Sequence, residues 1–262
     1  MNTSVENLAI TWKSIEKVCS GLERGQWELA TGCPGWSVRD QVSHLIDYES
    51  RAVGLPAPER APADLPHLPH LKNDLGRSNE VGVDFRRSRS GTEVLEEFRQ
   101  VTAKRLTQLR GLTEKDLAAE VMTPAGPGTV ADMLTLRVMD SWSHEQDIRR
   151  AVGSPGHLEG PAVDEAVGYF ARFVPYVVAK RAAAPEGSRV AFRIGERDPM
   201  VVEVVGGRGR LTTGSHPTVS LAIPLATFAA LVGGRSDAPA DAALSGDHEL
   251  GQRVLESMSL MP

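Results

Sequence analysis

Residues 129–153 read TVADMLTLRVMDSWSHEQDIRRAVG, and this stretch decides the fold expected for the first half of the chain. It opens with a hydroxyl residue and an acid three positions later, directly after a segment rich in Pro and Gly. That order is typical of a helix N-terminus. We therefore predict one long helix that begins at Thr129, continues through Ile148 and ends near Gly153.

Three earlier segments carry the same helical signature. Apolar residues recur at alternating steps of three and four over Val5–Leu22, so they lie on one stripe of a helix. The sequence SVRD at 37–40 has the spacing of a capping box and predicts a second helix over Val38–Val53. Ser90 opens a third in the same way. Four helices with apolar stripes pack most simply as a bundle.

The two long segments between and after these helices have a different composition. Residues 54–91 are rich in Pro, Gly, Arg and His and show no sustained period, which predicts a long loop with a short helix near 72–81. A helix over 161–182, interrupted at Pro175, is predicted to link the two halves of the chain.

The last part of the chain has the pattern of a small sheet with helices on it. Short β-branched runs are separated by Gly, Pro and Asp and predict a meandering sheet. These runs are RVAFRI (189–194), MVVEVV (200–205), GRLTT (209–213) and TVSLAI (218–223). Amphipathic helices that open at Pro224 and His248 are expected to cover one face. The predicted fold class is an α-helical four-helix bundle at 1–155 followed by a smaller α+β domain at 156–262.

Composition restricts the class of protein. The 262 residues carry a net charge of −5 and no long basic run, so we expect neither a nucleic-acid partner nor an anionic membrane partner. The sequence has no long apolar stretch and its first residues do not read as a secretion signal, which predicts a cytoplasmic protein. Only two cysteines occur, Cys19 and Cys33, and both are expected to be reduced.

One cluster of residue types could carry chemistry. Asp140 and His144 lie four residues apart, so they project from the same face of the predicted helix, and Asp147 continues that face. His44 lies one turn after Asp40 on the second helix. If the two helices are neighbours, His44, Asp140 and His144 form a ligand set for a divalent ion such as zinc and leave a coordination position open.

Two nearby carboxylates could fix the orientation of the two imidazole rings. Asp40 and Asp147 are predicted to accept hydrogen bonds from the imidazole N–H groups that do not face the metal. The alternative is a surface hydrogen bond between Asp140 and His144, which is common in helices.

Other candidate sites have weaker patterns. Cys33 lies just before the second predicted helix and could be an activated thiol, although a small buried cysteine is the simpler interpretation. His67 and His70 could be ligands, although loop histidines between prolines are usually exposed. VVGGRGR at 204–210 has glycines after a strand but no helix after them, so it is predicted to be a hairpin turn.

Four motifs together resemble a known family, the mycothiol-dependent maleylpyruvate isomerases. They are CPGWSVRDQVSHL (33–45), HLKNDLGRSNE (70–80), RVMDSWSHEQDIRRAVG (137–153) and LSGDHELGQRVLESM (244–258). The resemblance implies a DinB-like metal-binding bundle joined to a domain like sterol carrier protein 2 (SCP2-like). It also implies that His44, Asp140 and His144 are the metal ligands, with Asp140 in place of the family's glutamate.

The function implied by the resemblance is an enzyme that activates a thiol. A low-molecular-weight thiol, mycothiol in this family, would bind the divalent metal as a thiolate and attack a small electrophilic substrate. The reaction is S-transfer or isomerisation. Two alternatives stay open at this point: a metal-dependent hydrolase with Glu145 or Asp147 as the base, and a non-catalytic protein that binds a small apolar ligand.

Overall fold

The computed structural model describes residues 2–59, 65, 68–235, 238 and 240–261. His67, one of the candidate ligands, lies outside the described residues. The chain divides into two compact units, of which the first ends at Ala166 and the second runs from Val167 to Met261. This division falls within the segment that the sequence predicts as a linking helix.

The first unit is helical. Its helices are, in chain order, α1 (Thr3–Ser20), α2 (Val38–Ala52), α3 (Asp74–Arg86), α4 (Gly91–Arg110), α5 (Glu114–Leu117) and α6 (Val130–Ala151), and a 3-10 turn lies at Arg24–Glu28. Helix α1 contacts α4 and α6, and α2 contacts the same two helices. Each of these four long helices therefore has two neighbours, which is the arrangement of a four-helix bundle and confirms the predicted fold of this half.

The apolar stripes of the four helices form one core. Trp12, Ile46, Phe98 and Leu134, one from each helix, are at most 2% exposed and belong to the same buried cluster. Burial of side chains of this size contributes about 1.5–3 kcal/mol each, which is why the stripes decide how the helices pack.

The capping boxes lie where the sequence places them. Ser37, Ser90 and Thr129 are the N-caps of α2, α4 and α6, and each exchanges hydrogen bonds with the acid three residues later. At α2, the backbone N–H of Ser37 donates to Asp40 Oδ2 at 2.9 Å. The predicted helix starts are therefore confirmed.

One local prediction for this unit is wrong, and one element was not predicted. Helix α3 is longer than the predicted 72–81, because Asn73 caps it and its buried face continues to Arg86. A β-hairpin that was not predicted, β1 (Glu120–Thr123) and β2 (Gly126–Thr129), lies before α6. Three of the four residues of its second strand are Gly or Pro, which are depleted in strands, so the pattern there carries no strand signal.

The second unit contains a five-stranded sheet. Its strands are β3 (Arg189–Ile194), β4 (Met200–Val205), β5 (Arg208–Thr212), β6 (Val219–Ile223) and β7 (Ala243–Gly246). The order across the sheet is β5-β4-β3-β6-β7, and β6 runs parallel to β3 while the other pairs are antiparallel. The predicted meander is therefore wrong beyond β5, because the chain crosses to the other side of β3 to form β6. Strand β7 was not predicted.

The predicted turn and the predicted break in the linking helix are both confirmed. Gly206 and Gly207 join β4 to β5 with φ angles of 60° and 66°, a backbone region that favours glycine. The linking segment contains α7 (Pro161–Ala171), α8 (Val174–Tyr176) and a π-helical turn at Val177–Arg181. Pro175 has no N–H to donate to the carbonyl of Ala171, and the regular helix ends at Ala171, before the proline.

Helices α9 (Leu225–Val232) and α10 (His248–Glu256) complete the second unit, and α10 contacts β6 and β7. The α+β class predicted for this half is confirmed, whereas its likeness to sterol carrier protein 2 stays a prediction. No helix in the described part of the chain is both long and apolar enough to cross a bilayer.

Candidate metal centre

Three side chains from two neighbouring helices meet inside the bundle. His44 lies on α2, and Asp140 and His144 lie one turn apart on α6. His44 Nε2 is 3.5 Å from Asp140 Oδ2, and His144 Nε2 is 3.5 Å from Asp140 Oδ1. All three residues are buried. The structure thus brings together the ligand set predicted from the sequence and excludes a solvated surface pair.

The geometry of this group fits a divalent cation. One ligand atom from each side chain can be chosen so that all three lie within 4.8 Å of one another. Bonds of about 2.0–2.1 Å to a tetrahedral zinc ion place ligand atoms roughly 3.3 Å apart, close to the observed imidazole-to-carboxylate separations. Two imidazoles and one carboxylate also form a set that leaves a further position for another ligand.

The protonation states suit metal binding as well. Burial lowers the pKa of His44 to about 4, although Asp140 opposes this effect. Burial alone would raise the pKa of Asp140, but Arg137 and the two histidines outweigh it and hold that pKa well below its usual range. At neutral pH the site therefore offers a neutral His44 imidazole and an ionised carboxylate, the forms that a cation binds.

An indole ring forms one wall of the site. The Trp36 ring centroid lies 5.1 Å from that of His44 and 5.9 Å from that of His144. Its Nε1–H donates to Glu80 Oε2 at 2.8 Å, and Glu80 is fully buried. His70 Nε2 lies 3.3 Å from the same oxygen, so the exposure expected for His70 is wrong. The hydrogen bond from Trp36 to Glu80 fixes the indole against the two imidazoles.

A glutamine that the sequence analysis missed orients His144. Gln41 Oε1 lies within hydrogen-bond distance of His144 Nδ1, and Gln41 Nε2 donates to Thr31 Oγ1 at 2.7 Å. Because the amide N–H group is used by Thr31, the amide oxygen accepts from the imidazole. The proton of His144 is then on Nδ1, and the Nε2 lone pair faces the metal position.

Loss of this support is expected to weaken metal binding. Gln41→Leu keeps the size of the side chain but leaves His144 Nδ1–H without its amide acceptor, so we expect zinc affinity to fall about 10–100-fold. Competition with a chromophoric chelator measures the change. Gln100→Leu, at an exposed position of α4, is the control and should leave the affinity unaltered. An unchanged dissociation constant in Gln41→Leu would remove Gln41 from the site.

The two predicted supporting carboxylates have different positions. Asp147 Oδ2 lies 3.6 Å from His144 Nδ1, while its other oxygen accepts from Arg150 at 2.9 Å. Asp40 instead caps α2 through Ser37, and its second oxygen lies 3.5 Å from Arg87 Nε. The contacts of Asp40 involve neither imidazole, so a supporting role for Asp40 stays a prediction.

Glu145 follows a ligand in sequence but belongs to a different cluster. Its Oε1 accepts from Ser14 at 2.6 Å and from Arg149 at 2.7 Å, and its Oε2 lies 2.5 Å from His157 Nδ1. The residue is fully buried. These contacts tie α6 to α1 and to the loop after α6, which favours a structural role for Glu145.

The two cysteines differ in environment, and neither is in a disulfide. Cys19 is buried in the bundle core, and burial, with a smaller contribution from Glu145, raises the pKa of its thiol to about 12. Cys33 is half-buried in the loop before α2, more accessible than the small buried cysteine predicted from the sequence.

This difference predicts selective labelling. Since the reactive species is the thiolate, Cys19 is expected to stay unmodified in the native protein at pH 8, while Cys33 reacts. A chromogenic disulfide reagent should count about one thiol per chain before denaturation and two after it. Cys33→Ala should abolish the native reaction and Cys19→Ala should preserve it; the reverse pattern would contradict this assignment.

Comparisons with known proteins identify relatives of both halves. Residues 8–149 match the family model described as the mycothiol maleylpyruvate isomerase N-terminal domain, and residues 164–253 match the MDMPI C-terminal domain. A crystal structure of the mycothiol-dependent maleylpyruvate isomerase is similar to the chain, with a TM-score of 0.58 at 14% identity over 92% of this chain and 91% of that one.

A second crystal structure, of a histidine-to-alanine mutant of that isomerase, gives a TM-score of 0.55 at 13% identity with the same coverage of both chains. At these identities the likeness shows a shared fold. A search of curated proteins found no match.

Proposed function

This chain belongs to the mycothiol-dependent maleylpyruvate isomerase family, and from that premise we propose that it is a divalent-metal enzyme that activates mycothiol. Its substrate would be a small electrophile, which the thiol attacks. The observation that carries the proposal is the buried group of His44, Asp140 and His144, with both imidazole Nε2 atoms next to the carboxylate of Asp140.

Each residue of the group has a defined task. A divalent cation held there, for which zinc is our choice, supplies the charge that deprotonates a coordinating thiol near neutral pH. His44 and His144 bind through neutral Nε2 atoms, and Asp140 contributes one negative charge. Trp36, only 8% exposed, covers one side of the group and limits access of water from that side.

The chemistry then follows from the thiolate. In a substrate whose C=C bond is conjugated to a carbonyl group, the sulfur forms a C–S bond to the electrophilic carbon. The electron pair of the C=C bond then moves through the conjugated system onto the carbonyl oxygen. Protonation of that adduct gives a stable thioether, and the overall reaction is then S-transfer. If the adduct instead rotates about its former double bond and expels the thiolate, the product is an isomer and the thiol is regenerated. We favour S-transfer, because it requires fewer specific groups than isomerisation.

Cobalt substitution tests the proposal directly. The protein with Co²⁺ in place of the native ion is titrated with mycothiol, and a sulfur-to-cobalt charge-transfer band is expected to appear and saturate at one thiol per site. Consumption of thiol is then followed with a panel of small electrophiles. A protein that binds no divalent ion, or whose cobalt spectrum does not respond to thiol, would contradict the proposal. Turnover without any thiol would favour a hydrolase.

A further inference from the structure

A buried arginine lies one turn before the carboxylate ligand on α6. Arg137 is 2% exposed, and its Nη1 donates to Asp140 Oδ2 at 2.6 Å. Its Nε donates to Glu49 Oε1 at 2.9 Å, and Glu49 also pairs with Arg105 at 3.1 Å. The Tyr48 ring covers one face of the guanidinium, 3.8 Å from Cζ. Arg137 is therefore held from several directions.

The contact between Arg137 and Asp140 is one-sided. An arginine and a carboxylate often pair through two parallel N–H···O bonds. Here Arg137 binds only Oδ2, which also lies beside His44 Nε2, whereas Oδ1 lies beside His144 Nε2 and accepts no hydrogen bond from Arg137. Arg137 Nη2 is buried and has no hydrogen-bond partner among the described residues. A buried N–H without a partner is costly, so an arrangement that keeps one has a compensating reason.

Glu49 fixes the orientation of the guanidinium. It is 1% exposed and accepts a hydrogen bond from Arg137 Nε, and in this orientation only Nη1 donates to Asp140. Oδ1, which accepts no hydrogen bond from Arg137, is then the oxygen left for a cation. Because a guanidinium keeps its charge at all accessible pH values, its contact with Oδ2 does not depend on titration of the arginine.

We infer that Arg137 is a positioning residue for the metal ligand Asp140, which it holds by Oδ2 so that only Oδ1 reaches the cation. Single-oxygen binding leaves a coordination position for the thiol. The guanidinium also withdraws charge from the carboxylate, which keeps the cation a stronger acid toward a thiol. This inference rests on the proposed function, since it assumes that a cation occupies the site.

The test compares two arginines that share Glu49. Arg137→Lys keeps the charge but loses the planar fork, and Arg137→Met loses both. Arg105→Met is the matched control, because Arg105 pairs with Glu49 but its hydrogen bonds do not reach Asp140. Zinc affinity, the cobalt absorption spectrum and the melting temperature are measured for all variants. We expect both Arg137 variants to bind zinc about 10–100-fold more weakly and to alter the cobalt spectrum, while Arg105→Met changes neither.

The outcomes separate this inference from the proposed function. Wild-type protein that binds no cation would overturn the proposed function itself. Cation binding by wild type, with an unchanged dissociation constant and cobalt spectrum in folded Arg137→Lys, would overturn only the role of Arg137. If neither Arg137 variant folds, X-ray absorption of the wild-type zinc protein decides: a single carboxylate oxygen on zinc supports the inference, and two oxygens overturn it.

Discussion

Replacement of His44 with alanine is expected to abolish stoichiometric metal binding. The imidazole is one of three ligands, and only two would remain in a buried site whose carboxylate already shares one oxygen with Arg137. Even the loss of a group that merely supports a ligand costs about 10–100-fold in affinity, so loss of a ligand should cost more than about 100-fold. Metal analysis after gel filtration measures the content, and thiol-dependent turnover should disappear with the metal.

His248→Ala is the control for this experiment. His248 is exposed at the start of α10 in the second unit, so its removal should leave metal content and turnover as in the wild type. Metal retained at one ion per chain in His44→Ala would show that the ion binds elsewhere, and the assignment of the three ligands would then be wrong.

Replacement of Glu145 with alanine is expected to have the largest effect on stability while leaving metal binding intact. The variant leaves Arg149, Ser14 and His157 without their shared buried carboxylate, and removing one member of a buried ionic group costs about 3–5 kcal/mol. Urea unfolding followed by tryptophan fluorescence measures this cost in the first unit, because Trp12, Trp27, Trp36 and Trp142 all lie there.

Glu96→Ala provides the comparison at an exposed position of α4 and should change the free energy of unfolding by no more than about 0.5 kcal/mol. The experiment also addresses the alternative hydrolase. If Glu145→Ala were as stable as the wild type but inactive, Glu145 would be a catalytic base after all, and its contacts with Ser14, Arg149 and His157 would not be its main role.

Several features of the site could be predicted because they depend on helical spacing. Asp140 and His144 share a face of α6 wherever that helix packs, and the capping acids at Asp40 and Asp132 mark the starts of α2 and α6. Gln41 and Arg137 carried no such signal. Each is one polar residue inside an amphipathic helix, and its role depends on which neighbour lies across the bundle.

The sequence by itself determined that four amphipathic helices form a bundle, that an α+β unit follows, and that an acid and a histidine one turn apart could bind a cation. These conclusions rest on local periodicity and on a resemblance carried by short motifs. Only the tertiary structure decided that α2 lies against α6, so that His44 joins the pair on α6, and that Gln41, Trp36 and Arg137 surround it. Contacts between residues about 100 positions apart depend on helix packing, which a periodic pattern does not encode.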